Sequence, residues 1–184
     1  MGFKQFLLEA RQTIPQIWYH GTSVDFKEFD LKYIITDKSN AADGPGFYLT
    51  NQDEDAGNYA RGYIKTVELL KTSNIKLGSS KFNKQFFEKL VDDMPDKEIV
   101  LSNWDENPKI AMRDLKKSIF DTTKTLRDII NEVWGECYKG YEKELLKKLV
   151  DEGIDGIIVK QRFGVLHLIC FNKDILKIVK TEKL

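Results

Sequence analysis

The sequence predicts an α+β fold in which both ends of the chain build the sheet. Three observations carry this. Short apolar runs of strand length fill residues 17–78, helical periodicity dominates from Phe82 to Val150, and strand-like runs return after Gly153. At 184 residues the chain is long enough for one domain with a substantial core.

The elements follow in order. Phe3, Phe6, Leu7 and Ala10 recur at helical spacing, and Pro15 ends that segment. IWYHGT (17–22) reads as a strand running into a turn, and Phe26 and Phe29 then pack a loop onto the core. KYIIT (32–36) is apolar but of undecided type, and DKSNAADGPG (37–46) is a loop by composition. GFYLT (46–50) is a strand. NQDED starts a helix, with Asn51 a candidate cap and acids in the first turn, that ends near Gly62. TVELLKT and NIKLG (66–78) read as strands. FNKQFFEKLV, PKIAMRDLKKSI, TLRDIINEVW and YEKELLKKLV are the clearest helices of the block over 81–150, with breaks at Pro95 and Pro108. GIDGIIVK (153–160), VLHLICF (165–171) and ILKIV (175–179) close the fold as strands.

Composition narrows the function classes. Hydrophobic residues at 41% and charged residues at 32% make an ordinary globular mix. Lys+Arg and Asp+Glu both number 29, which argues against bulk electrostatic binding to nucleic acid or an anionic membrane. The two cysteines, Cys137 and Cys170, form no CxxC, and with two histidines they offer no zinc set; a buried free thiol is expected at Cys170, in keeping with a reducing compartment. No run of 18 apolar residues predicts a membrane span, and the apolar centre of MGFKQFLLEARQ is too short for a secretory signal.

The chemistry-bearing residues cluster near the two strand regions. His20-Gly21-Thr22 ends one strand, Gly46-Phe47-Tyr48 begins another, and Tyr59 follows Tyr48 by eleven residues on the adjoining helix. Taken singly, a structural histidine and two core tyrosines account for each of them. Together they describe a slot. A glycine lets a ligand approach the backbone, so Gly21 can offer N–H and C=O to a planar amide, and two tyrosines can stack on a flat ring. An amide-bearing aromatic ring held in this way describes nicotinamide.

This set resembles the catalytic domain of ADP-ribosyltransferases of the diphtheria-toxin and poly(ADP-ribose) polymerase type. That family carries His-Gly-Ser/Thr on a strand, then Gly-Ile-Tyr-Phe, then Asn-Tyr eleven residues beyond that tyrosine; GFYLTNQDEDAGNYA (46–60) fits without a gap. GIDGIIV and HLICFN are similar to its closing strands. The resemblance covers about half of the chain and leaves the helical block unmatched. It implies a split β-sheet with a helical insertion between the N-terminal and C-terminal strands, and NAD as the substrate. By the same resemblance His20 holds the adenosine-side ribose, Gly21 the nicotinamide carboxamide, and Thr22 ribose or amide, while Tyr48 and Tyr59 sandwich the ring. Ala56 stands where many relatives have a carboxamide-binding serine. His167 stands where the family has its catalytic glutamate, which orients the ribose 2′-hydroxyl and stabilises an oxocarbenium-like transition state. Tyr48 and His167 are therefore the candidate catalytic positions, and Gln161 and Arg162 are candidates for acceptor contact.

The resemblance implies mono-ADP-ribosyl transfer to a macromolecule, a host protein by preference, with a nucleic-acid acceptor left open. The alternative is a catalytically inactive relative that binds NAD or a host partner, with His167 marking the lost chemistry. An RNA 2′-phosphotransferase-like enzyme shares the fold and an HGT-like strand but needs further basic residues in the site. The N-terminus MGFKQFLLEA is similar to the capsid-targeting peptides of internal head proteins of large tailed phages, in which Leu-x-Glu precedes the cleavage point; an ordinary amphipathic helix fits the same residues. The first reading implies removal of residues 1–9, a single domain over 10–184, and passage from the phage capsid into the bacterial cytoplasm.

Overall fold

Strands from the two ends of the chain meet in one mixed sheet. The structure is a computed structural model and describes residues 14–34, 43–72, 74–120 and 123–184. The predicted N-terminal helix, the last two residues of KYIIT and most of the 37–46 loop lie outside the described residues. The elements are β1 (Ile17–Thr22), β2 (Phe47–Thr50), α1 (Asp53–Tyr59), β3 (Tyr63–Leu69), β4 (Ile75–Leu77), α2 (Lys84–Asp92), α3 (Lys97–Ser102), α4 (Pro108–Ile119), α5 (Leu126–Cys137), α6 (Glu142–Asp151), β5 (Gly156–Lys160), β6 (Leu166–Cys170) and β7 (Leu176–Lys183). The strand order is β4-β5-β6-β2-β1-β3-β7, parallel only between β4 and β5.

The sheet is nearly two sheets. β1 pairs with β3 along its whole length, from Ile17↔Glu68 to Thr22↔Tyr63, but meets β2 only at Tyr19↔Thr50. β2 in turn pairs continuously with β6, from Phe47↔Cys170 to Thr50↔His167. The β4-β5-β6-β2 and β1-β3-β7 halves thus part beyond one bridge, and His20 Nδ1 spans the gap to the Tyr48 carbonyl oxygen at 2.8 Å.

The helical block between β4 and β5 supplies much of the core. α5 is its centre: Ile129, Ile130, Val133 and Trp134 are all buried. Its start carries a capping box in which Thr125 and Asp128 satisfy each other's backbone N–H, a device stabilising a helix start by about 1 kcal/mol. Trp134 Nε1 donates to Glu142 Oε1 at 3.1 Å and the Tyr138 hydroxyl to the Leu90 carbonyl at 3.0 Å, so both large aromatics enter the core with their polar atoms satisfied. The glycine-bounded turn GIDG also has a structural role: buried Asp155 accepts from Asn172 Nδ2 at 2.7 Å and so ties β5 to the end of β6.

Two expectations are corrected. Asn51 does not cap α1. Gln52 is the N-cap residue, without a side-chain cap bond, and Asn51 Oδ1 accepts from the Leu166 N–H at 2.7 Å while its own N–H donates to the Leu166 carbonyl at 3.1 Å. Asn51 thereby extends the β2–β6 ladder. The helix after NQDED also stops at Tyr59, before Gly62, and β3 begins at Tyr63, ahead of the predicted 66.

Candidate functional site

The cleft lies where β1 and β2 diverge. An inner compartment of about 120 Å³ is lined by Tyr19, His20, Gly21, Tyr48, Ala56, Tyr59 and His167, among others. An outer one of about 640 Å³ shares His20, Gly21, Tyr48 and Tyr59 with it and adds Thr22, Glu28, Asp30 and Arg61. His20, Gly21, Thr22, Tyr48, Tyr59 and His167 each border one compartment or both, whereas Gln161 and Arg162 line neither.

His20 is fixed by its surroundings. Nδ1 faces the Tyr48 carbonyl and therefore carries the hydrogen, which leaves Nε2 as an acceptor. Phe26 and Phe29 meet the ring edge-on at 5.8 and 5.4 Å. Burial lowers the His20 pKa below its ordinary 6.5, with the nearby Lys65 cation acting in the same direction, so the ring is neutral at pH 7. Lys65 is itself fully buried; it pairs with Asp25, donates to Thr181 Oγ1 at 3.1 Å and sits over the Phe26 ring.

Tyr48 offers its ring, not its hydroxyl. The hydroxyl donates to the Gly44 carbonyl at 2.7 Å and accepts from the Asp43 N–H at 3.1 Å, and burial pushes its pKa up. Asp43 is held by an ion pair with Arg127 of α5 at 2.6 Å, so the helical block sets the position of the tyrosine. Tyr59 is 64% exposed and is no core residue. It stands edge-on to His167 with ring centroids 6.3 Å apart. Thr22 Oγ1 accepts from the Val24 N–H at 3.2 Å and steadies the turn after β1.

Gly21 is a glycine for a reason the sequence did not give. A Cβ there would lie 2.2 Å from the Ala56 carbonyl oxygen and 2.7 Å from the Ala60 nitrogen. The close approach is made by the backbone of α1, which packs directly across β1, although Gly21 also lines both compartments. Ala56 is 1% exposed at that contact and borders the inner compartment without offering a hydrogen bond.

His167 reaches the site from β6. Its Nε2 lies 3.0 Å from Asp55 Oδ2 on α1, and its Nδ1 lies 3.3 Å from Gln161 Nε2. Sequence reasoning missed Asp55, 112 residues away from its partner; only the fold pairs them. The loop carrying Gln161 and Arg162 also presents Phe163, 98% exposed with a φ of 58°.

A family model described as ADP-ribosyltransferase in polyvalent proteins matches residues 11–183. The chain belongs to this ADP-ribosyltransferase family. The split mixed sheet with its helical block between the strands is consistent with that fold. No curated protein matches this ADP-ribosyltransferase. Among solved structures, the crystal structure of an anti-CRISPR protein aligns with 91% of this chain and 94% of that chain, at 11% identity and a TM-score of 0.37.

Family membership implies NAD as the substrate. The inner compartment is comparable with the ~150 Å³ cavity that takes up a benzene ring, so its size suits one flat ring. The outer compartment is larger and more polar, with Arg61 on its lining beside Glu28 and Asp30. Among the described residues no helix is long and apolar enough to cross a membrane, and no three His, Cys, Asp or Glu side chains cluster as metal ligands would.

Proposed function

We propose that this chain is an NAD-dependent mono-ADP-ribosyltransferase acting on a macromolecular target, a host protein by preference. The observation that carries the reading is the convergence of His20, Gly21, Tyr48, Tyr59 and His167 on one divided cleft at the parting of two strands. In this assignment the nicotinamide ring enters the inner compartment between Tyr48 and Tyr59, and the Gly21 backbone holds its carboxamide. His20 Nε2 accepts from a hydroxyl of the adenosine-side ribose. Arg61 faces the pyrophosphate, and Glu28 and Asp30 face hydroxyls. With Thr22 oriented by its own turn, its part is to shape the outer wall. When bound, NAD supplies an anomeric carbon that carries a good leaving group. The protein orients that carbon and keeps water from the ring.

One cation beside two acids is a poor track for an RNA backbone, which disfavours the phosphotransferase reading. Gln161, Arg162 and exposed Phe163 form the loop nearest the catalytic position and are assigned to acceptor contact. The phage-effector reading rests on MGFKQFLLEA and on the family match starting at residue 11, outside which that segment falls. It places the protein in the capsid and then in the bacterial cytoplasm. Mass spectrometry of virions tests it: a chain beginning at Ala10 is expected, and an intact Met1 in the particle excludes processing.

The enzyme reading is tested with labelled NAD and host lysate, together with nicotinamide release by the purified protein. A labelled band that is lost in Tyr59→Ala is expected. NAD binding by calorimetry without nicotinamide release or labelling favours the inactive, NAD-binding relative instead. That second reading has one observation behind it, a histidine at the position of the family's glutamate.

A further inference from the structure

We propose that Asp55 and His167 form a catalytic dyad, in which His167 is the base for a protic acceptor and Asp55 positions it and stabilises the imidazolium that forms; this rests on the transferase reading above. The geometry fixes the proton. A nitrogen 3.0 Å from a carboxylate oxygen must be the one that carries hydrogen, so His167 Nε2–H donates to Asp55 Oδ2. Nδ1 is then the lone-pair nitrogen, and the Gln161 amide donates to it at 3.3 Å. Neither partner is a surface accident: the side chains of His167 and Asp55 are 17% and 19% exposed, and three elements (α1, β6 and the loop after β5) converge to make the contact.

The chemistry follows from that tautomer. Gln161 is exposed and its bond to Nδ1 is long, so an incoming acceptor can take its place. His167 Nδ1 accepts the proton of an acceptor O–H or N–H as that oxygen or nitrogen bonds to the anomeric carbon. The bond from this carbon to the nicotinamide nitrogen breaks, and its electron pair leaves with neutral nicotinamide. The imidazolium so formed lies against the Asp55 carboxylate, which stabilises it as the aspartate does in a Ser-His-Asp triad. The carboxylate of the dyad also puts negative charge beside the reacting carbon, through an imidazole instead of directly. A base is needed only where the acceptor has a proton to lose. The substrate class is therefore a hydroxyl, guanidinium or amide group and not an ionised carboxylate.

The test uses the whole chain and water as acceptor, so it needs no knowledge of the target. Asp55→Asn is expected to lower kcat for nicotinamide release by roughly 10²- to 10⁴-fold, the range of general acid–base catalysis, with KM for NAD unchanged because Asp55 does not line the ring compartment. A second readout needs no NAD. Nitrogen-15 NMR of the histidines should show His167 as the Nε2–H tautomer in the wild type, and should lose that signature in Asp55→Asn. Unchanged kcat, a loss confined to KM, or a wild-type His167 protonated on Nδ1 alone would overturn the proposal while leaving the transferase reading in place. Wild-type protein that binds no NAD and releases no nicotinamide would overturn both. An acceptor mapped by mass spectrometry to aspartate or glutamate would overturn the protic class.

Discussion

Replacing Gly21 by alanine should damage stability and cleft together, because the same backbone atoms serve both. The added methyl would stand 2.2 Å from the Ala56 carbonyl oxygen, 2.7 Å from the Ala60 nitrogen and 3.1 Å from the Tyr59 carbonyl carbon. All three are backbone atoms of α1 or its cap and cannot rotate away. Restoring ordinary contact requires a helix displacement on the order of 1 Å, and overpacking of this kind costs about 1–3 kcal/mol. For a chain of this size that is a fall in Tm of roughly 2–12 °C. α1 also carries Asp55, Ala56 and Tyr59, so a shift opens the His167 contact and moves one wall of the inner compartment. Thermal unfolding followed by circular dichroism gives the first quantity, and calorimetric titration with NAD on the folded variant gives the second. A variant with wild-type Tm and wild-type NAD binding would show that α1 does not rest on β1 at Gly21.

Three further outcomes are expected. His20 is held neutral with a folded pKa below 6.5, so below that pH the unfolded chain binds the extra proton and stability is lost as pH falls through 6.5 towards the folded value. Melts at pH 7.5 and 5.5 should therefore differ less in His20→Gln than in the wild type, His167 being present in both; equal differences would refute the burial of a neutral ring. Tyr48→Phe keeps the ring but leaves the Asp43 N–H and the Gly44 carbonyl without their hydroxyl. It should cost about 1–2 kcal/mol by denaturant melt, with NAD still bound, whereas complete loss of binding would mean that the hydroxyl itself meets the ligand. Arg61→Ala should raise KM for NAD roughly 10- to 150-fold and leave kcat alone, since a charged hydrogen bond to phosphate is worth about 1.5–3 kcal/mol; an unchanged KM would place the pyrophosphate elsewhere.

The sequence made the fold legible where periodicity is local and left dark whatever depends on distant pairing. The α4 segment PKIAMRDLKKSI matches its helix residue for residue, because apolar spacing, Asn107 capping and Pro108 at the first turn all lie within one window. α3 went unread: six residues with only Leu101 buried carry no period. NIKLG reads as a strand and is β4, Ile75–Leu77, but its parallel pairing with β5, about 80 positions away, lies outside any local pattern. Asn51 misled for the same reason. An asparagine before three acids has the form of a cap, and only the presence of Leu166 beside it diverts the side chain into the ladder. In the site, Tyr48 and Tyr59 were legible from their spacing, whereas the reason for Gly21 and the partner of His167 both needed α1 laid across β1.

Putting the family's glutamate back at position 167 separates a dyad from a relic. From sequence alone, His167→Glu supplies a missing carboxylate and should speed NAD turnover. The structure reverses that expectation, because the new carboxylate would sit against Asp55, whose Oδ2 is 3.0 Å from the present ring nitrogen. Two carboxylates at such a separation cannot both ionise freely, and one of them takes up a proton. The pair would then carry little more charge than Asp55 alone and would have lost its base, so His167→Glu should release nicotinamide more slowly than the wild type. Removing the crowding reverses the sign again: Asp55→Ala with His167→Glu leaves a single ionised carboxylate in the cleft and should turn over NAD faster than His167→Glu alone. Nicotinamide release by the three proteins decides the matter. Acceleration by His167→Glu with Asp55 intact would show that the histidine marks lost chemistry and that Asp55 only anchors α1. Slowing in the single variant, recovered in the double, is the pattern expected where the negative charge of this active site comes from the helix and not from the strand.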